Sequence, residues 1–81
     1  MVCLQLYFTL REQAHVSRAE IPARTLEELL ARATERFGEG FARCLPGTRV
    51  WINDDLVVGS ARDIALAPSD EVVLLPPVSG G

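Results

Sequence analysis

The 81-residue sequence predicts a single α+β domain in which one main helix covers a mixed β-sheet. Three observations support this prediction. Apolar residues alternate over the first ten positions, a helical apolar stripe follows a clear start signal at Thr25, and a short apolar segment ends at a pair of prolines. A chain this short has a thin core, so its function is expected to depend on a surface, an edge or a terminus.

The first two elements are predicted to form a hairpin. Residues 2–10 alternate with the period of a half-buried strand, and residues 11–15 are polar and predict a turn. Residues 15–21 predict a second strand anchored by Val16 and Ile21. One face of the first strand is expected to hold Val2, Leu4, Leu6, Phe8 and Leu10.

The main helix has the strongest local signal. The run Thr25-Leu26-Glu27-Glu28 matches a capping box, in which a hydroxyl and a carboxylate satisfy free amides at the helix start. Gly38 stands where a left-handed residue would end the helix. The apolar stripe between these two signals comprises Leu26, Leu29, Leu30, Ala33 and Phe37.

The remaining chain predicts short strands joined by turns. Residues 41–45 predict one helical turn, residues 48–52 and 56–58 two strands, and Asn53-Asp54-Asp55 the turn between them. Residues 61–67 form a connector and residues 71–75 the last strand. The first and last strands are the most apolar, so they are expected to pair in parallel at the sheet centre. This arrangement is the β-grasp, or ubiquitin-like, architecture.

Composition excludes several classes of function. The net charge is −3 and all eight cations are arginines, which argues against nucleic acid binding. No segment is long enough to span a membrane, and the first ten residues lack a basic signal-peptide start, so a cytoplasmic protein is expected. Without lysine, copies of this chain cannot be linked through their own side chains. Cys3 and Cys44 are expected to be two buried, inert thiols, with no zinc-ligand spacing.

Side chains with catalytic chemistry are isolated in the sequence. His15 is expected to be a solvated histidine, and Asp54-Asp55 and Asp70-Glu71 to be turn and strand-start residues. Ser60 has no identifiable base partner, and Trp51 is expected to fill the core or cover the sheet. We therefore predict no independent active site, no metal site and no stably bound cofactor.

The chain terminus is the exception. Residues 1–75 are predicted to form the folded domain and residues 76–81 an extended tail, because Pro76 and Pro77 prevent the strand from continuing. Past Pro77, four residues reach roughly 13 Å at full extension. Gly80 and Gly81 have no side chains, so a partner can enclose them in a narrow channel. The working group is therefore expected to be the C-terminal carboxylate of Gly81, which is unreactive until it is activated.

A plainer interpretation is a module with a frayed or vector-derived Gly-Gly tail. The proline pair and the absence of residues after Gly81 favour a carrier arm over that interpretation.

The sequence resembles the small subunit of molybdopterin synthase, within the MoaD/ThiS group of sulfur carriers. The most specific part of the resemblance is the ending Leu75-Pro76-Pro77-Val78-Ser79-Gly80-Gly81, preceded by Asp70-Glu71-Val72. Further support comes from Phe8-Thr9-Leu10-Arg11-Glu12 and Val50-Trp51-Ile52-Asn53. Two departures are Pro68-Ser69, where many relatives have glycine, and Leu75, where many have phenylalanine. Because Leu75 is smaller than phenylalanine, its burial in an apolar pocket would stabilise the contact by about 1 kcal/mol less.

The resemblance implies a cycle with several partners. A MoeB-like adenylyltransferase would use ATP to adenylate Gly81, and a sulfur donor would convert it to a thiocarboxylate. The tail would then enter a MoaE-like large subunit and deliver sulfur to precursor Z, within a heterotetramer of two small and two large subunits. The partner surface is expected to include Leu75, Pro76, Pro77, Val78 and Ser79.

Two alternatives remain open at this stage. One is a sulfur carrier for thiamine, cysteine or tRNA thiolation, and the other is a ubiquitin-like modifier of protein lysines.

Overall fold

The structure is a computed structural model that describes residues 1–57 and 64–76. Its elements follow one another along the chain as β1 Val2–Leu6, α1 Phe8–Ala14, β2 Arg18–Ile21, α2 Leu26–Phe37, α3 Glu39–Cys44, β3 Arg49–Ile52, β4 Asp55–Leu56 and β5 Glu71–Leu75.

The five strands form one mixed sheet in the order β2-β1-β5-β3-β4. The central strands β1 and β5 are parallel, with Leu4 beside Val72 and Leu6 beside Leu74. The outer pairs β1–β2, β3–β5 and β3–β4 are antiparallel. The predicted β-grasp architecture and its central parallel pair are therefore confirmed.

Helix α2 covers one face of this sheet, as its apolar stripe predicts. Thr25 begins the helix with an extended backbone, and its Oγ1 accepts a hydrogen bond from the Glu28 amide at 3.1 Å. Glu28 Oε1 accepts from the Arg24 amide at 3.3 Å, one residue earlier than in a reciprocal capping box. Gly38 ends the helix with φ 94° and ψ −172°, a positive-φ conformation that differs from the predicted left-handed one.

The core lies between α2 and the sheet. The residues that are fully buried in it include Phe41 of α3, which also stacks at a tilt on Phe37, with ring centroids 5.1 Å apart. The side chains from the central strands that face this core are Val2, Leu4, Leu6, Val72 and Leu74.

One predicted element is wrong. Residues 8–14 form helix α1 instead of the end of the first strand and a turn. Leu10 and Ala14 are buried four positions apart, which is a helical spacing, whereas Phe8 is 55% exposed. Leu10 is compatible with both the strand period and the helix period, and only packing against the rest of the fold decides between strand and helix. The second strand is correspondingly shorter, and its predicted anchor Val16 lies outside it, 41% exposed.

The β3–β4 turn contains two of the three predicted residues, because Asp55 belongs to β4, which therefore begins one residue before the predicted strand 56–58; residue 58 lies outside the described residues. Ile52 pairs with Asp55, and the two loop residues Asn53 and Asp54 both have positive φ, 49° and 70°. This is the backbone that a tight two-residue hairpin requires, and short polar side chains tolerate it. Of the predicted connector, residues 61–63 lie outside the described residues, and Ala65 makes a β-bridge to Thr25.

Candidate functional site

The parallel pairing of β1 and β5 determines where the C-terminal segment leaves the domain. Both strands run toward the same sheet end, where Leu6 lies beside Leu74 and Leu75 pairs with Arg49. We call this end the exit end. Leu75 is partly buried there and Pro76 is buried. Pro76 thus anchors the start of the segment in the domain and exposes little surface to a partner.

The predicted site residues after Pro76 are Pro77, Val78, Ser79, Gly80 and Gly81, and they lie outside the described residues. Strand β5 ends at Leu75, and the predicted division into a domain of residues 1–75 and a tail of residues 76–81 stays a prediction.

The sheet face opposite α2 is polar along β1 and β2. Gln5 Nε2 donates to Glu71 Oε1 at 2.9 Å, and Arg18 Nε donates to Cys3 Sγ at 3.0 Å. The hydrogen bond to Cys3 raises the pKa of the Arg18 guanidinium, and the nearby charges of Glu71 and Glu20 act in the same direction. These side chains therefore hold Arg18 at the sheet surface in its charged form.

The other half of this face is apolar. Register places Trp51 beside both Val73 and Leu56, and Leu75 continues the row toward the exit end. Leu56 is 42% exposed, while the other three are partly buried. We call Trp51, Leu56, Val73 and Leu75 the open-face strip. Trp51 therefore lies on the sheet surface, which is one of the two positions expected for it, the other being the core.

A network of hydrogen bonds fixes the opposite end of β5. Asn53 Nδ2 donates to Asp70 Oδ1 at 3.0 Å, and Asn53 Oδ1 accepts from the Glu71 amide at 3.0 Å. The Ala67 amide donates to Asp70 Oδ2 at 2.8 Å. The Asn53 hydrogen bond, followed by that of Ala67, lowers the pKa of the Asp70 carboxyl below its ordinary value. Asn53 and Asp70 are 17 positions apart, so no local sequence pattern connects them.

His15 and Asp54 have the structural roles expected of them, whereas Cys44 is less buried than expected. His15 is exposed and ends α1 with φ 64°, its amide donating to the Arg11 carbonyl at 2.9 Å. Asp54 is a turn residue. Both cysteines are free, with Cys3 buried and Cys44 only partly buried. Ser60 lies outside the described residues.

Residues 1–57 and 64–76 contain no group of three or more potential metal ligands. Within the same residues, no helix is long and apolar enough to cross a membrane.

One family model matches nearly the whole chain. The sequence profile of the ThiS family matches residues 4–81. No curated protein gives a significant match.

Solved structures with the same fold include small archaeal modifier protein 1 from Methanosarcina acetivorans, at 22% identity and a TM-score of 0.86, covering 99% of this chain and 95% of that one. A chain of the BexX/CysO complex of Amycolatopsis orientalis matches at 21% identity and a TM-score of 0.84, over 100% of both chains. A chain of the complex between subunits 1 and 2 of the molybdopterin-converting factor from Helicobacter pylori matches at 30% identity and a TM-score of 0.73, over 99% of this chain and 97% of that one.

Proposed function

This chain belongs to the ThiS family of small, ubiquitin-like sulfur carriers, and we propose that it serves as the small subunit of a molybdopterin synthase. The observation that carries this proposal is the 30% identity with a chain of the Helicobacter pylori molybdopterin-converting factor, over nearly the whole of both chains. The modifier and CysO structures are 22% and 21% identical, so they support the fold alone. The Pro-Pro-Val-Ser-Gly-Gly ending is additional support from the sequence.

The chemistry would take place on Gly81. Its carboxylate attacks the α-phosphorus of ATP in a MoeB-like adenylyltransferase, and pyrophosphate leaves. Sulfide from the donor then attacks the acyl carbon, AMP leaves, a proton is released, and a thiocarboxylate remains. In a MoaE-like large subunit the thiocarboxylate sulfur attacks a carbon of precursor Z, and the carbon–oxygen bond at that carbon breaks with the oxygen leaving as a protonated or phosphate group. Water then hydrolyses the resulting thioester, which restores the Gly81 carboxylate and leaves the sulfur on the pterin as a thiol.

The domain would contribute presentation rather than catalysis. Pro76 is buried at the exit end, so the residues after it start from a fixed point. The open-face strip leads to the same end and is apolar, as the centre of a protein interface often is. Gly80 and Gly81 would pass through a channel too narrow for side chains.

The test is intact-mass spectrometry of the purified chain after incubation with its cognate adenylyltransferase, ATP and a sulfur donor. We expect the mass increase that corresponds to replacing one oxygen by sulfur. A variant extended by one alanine past Gly81 is the matched control and should stay unchanged. Conversion of the extended variant without trimming, or an unchanged wild type, would refute the carrier function.

The same material separates molybdopterin synthesis from the alternatives. Addition of the cognate large subunit and precursor Z should give molybdopterin. Sulfur transfer to a thiamine, cysteine or tRNA precursor instead would identify another carrier pathway. Gly-Gly remnants on lysines of other proteins would identify a modifier.

A further inference from the structure

Charged side chains are segregated along the sheet. Three arginines lie at the exit end: Arg49 pairs with Leu75, Arg18 pairs with Gln5 near the end of β1, and Arg11 lies on α1, which follows β1 directly. The opposite end has the carboxylates of Asp54, Asp55, Asp70 and Glu71. The chain is acidic as a whole, yet its exit end is cationic.

Two of these arginines line a cleft of about 280 Å³ at the junction of β1, α1 and β2. Its lining offers a phenol, a hydroxyl and an amide besides the two guanidinium groups. No carboxylate lines the cleft itself, although Gln5 donates to Glu71 and the charges of Glu71 and Glu20 lie near Arg18, which leaves Arg11 as its less compensated cation. The ion pairs found among the described residues involve Arg32 and Arg43, not the arginines of this cleft. The six residues that line it are Gln5, Leu6, Tyr7, Arg11, Ser17 and Arg18.

These donors suit an oxygen anion. A guanidinium group presents a planar fork of N–H donors that matches a carboxylate in two-point geometry. Arg18 is already oriented by its hydrogen bond to Cys3, so binding there loses less side-chain freedom. Arg11 is exposed and is one turn into α1. The negatively charged Glu12 follows it on α1 but does not line the cleft.

A protein carboxylate fits this cleft better than a free anion. An open cleft leaves its charges hydrated, so a small ion in water would be bound weakly. A protein that already holds the C-terminal segment supplies its own carboxylates at a high effective concentration. Tyr7 is 41% exposed beside the cleft and offers an aromatic surface to such a partner.

We propose that the Arg11–Arg18 cleft receives a carboxylate side chain from the rim of the channel through which the adenylyltransferase takes up the C-terminal segment. This inference rests on the proposed carrier function. Residues 77–81 span roughly 17 Å when extended, which separates the rim contact from the reacting carboxylate of Gly81. The contact therefore determines docking and its rate, whereas the chemical step is independent of it.

The test is ATP–pyrophosphate exchange by the purified cognate adenylyltransferase, with this chain as the varied substrate. We expect Arg11→Glu to raise KM about tenfold at low salt with kcat unchanged. Arg24→Glu is the matched control, because it makes the same change in charge near the opposite end of the sheet. Its KM should stay close to that of the wild type. Added NaCl should raise the KM of the wild type and of Arg24→Glu. The KM of Arg11→Glu should rise much less, because this variant has already lost the charge that salt screens.

Each outcome has a distinct meaning. Equal KM values for Arg11→Glu and Arg24→Glu would overturn the rim contact while leaving the carrier function intact. Absence of exchange with the wild type would overturn the carrier function, and the rim contact with it. Inorganic phosphate that shifts the Arg11 and Arg18 Nε–H resonances at low millimolar concentration would identify a small-anion site instead. If circular dichroism shows Arg11→Glu to be unfolded, Arg11→Gln should still raise KM relative to Arg24→Gln.

Discussion

The side chain of Asn53 donates a hydrogen bond of 3.0 Å to Asp70, joining the β3–β4 turn to the segment that begins β5. Asn53 has φ 49°, so its turn conformation directs the amide toward β5. The Asn53 backbone amide also donates to the Glu71 carbonyl at 2.9 Å. The start of the strand that leads to the C-terminal segment is therefore fixed by a turn 17 positions earlier in the sequence.

This contact predicts a pH-dependent stability. The pKa of Asp70 is lower in the folded state than its ordinary value of 3.8, so its contribution is fully present above pH 3.8. The contribution is lost as the pH falls through the folded-state pKa. Asp70→Ala should lower the free energy of unfolding at pH 7, and the difference from the wild type should shrink below pH 3.8. Denaturant titrations at several pH values measure this difference in the free energy of unfolding. Asp54→Asn, which removes a carboxylate from the turn that contains Asn53, is the control.

The second prediction concerns the start of α2. Thr25→Ala removes the acceptor of the Glu28 amide and should cost about 1 kcal/mol of unfolding free energy. Thr25→Ser keeps the hydroxyl and should retain most of that stability. Equal stability of the alanine and serine variants in urea denaturation would show that the hydrogen bond contributes nothing.

The third prediction follows from the backbone of Phe8. Only Tyr7 separates β1 from α1, and Phe8 makes this sharp change of direction with φ 53°. A bulky residue at positive φ costs roughly 1–2 kcal/mol, a penalty that glycine avoids. We expect Phe8→Gly to be more stable than Phe8→Ala by about 1 kcal/mol, the reverse of the usual helix order. Thermal unfolding of the two variants measures this difference, and the opposite ranking would show that Phe8 is unstrained.

The fourth prediction tests the open-face strip as a partner surface. Leu56→Asp places a charge on the strip at a residue that is 42% exposed, so the fold should tolerate it. Its affinity for the cognate adenylyltransferase should fall about tenfold, because the charge must be desolvated in an apolar interface. Ala31→Asp is the control, since Ala31 is exposed on α2, which covers the opposite face of the sheet and lies away from both the strip and the Arg11–Arg18 cleft. Calorimetric titration measures the affinity of each variant for the adenylyltransferase. Equal affinities of the Leu56→Asp variant and the control variant would exclude the strip from the interface.

Local chemistry explains which elements were predictable. Helix α2 begins after Thr25 and ends before Gly38, as its capping residues predict. Strand β5 occupies Glu71–Leu75 because the two prolines that follow cannot extend a ladder. The Asn53-Asp54 turn has its own backbone preference. In each case the deciding interaction lies within a few residues, so the sequence alone contains it.

Tertiary structure decided the rest. Residues 8–14 form a helix because Leu10 and Ala14 must both reach the core, and the alternating pattern did not reveal this. The Arg11–Arg18 cleft requires α1 and β2 to meet at the end of β1, and the Asn53–Asp70 contact requires β3 to lie beside β5. The sequence by itself determined the main helix, the last strand and the family signature of the terminus. Sheet register and helix packing decided which distant charges surround the point where the terminus leaves, because those positions depend on contacts between residues far apart in the chain.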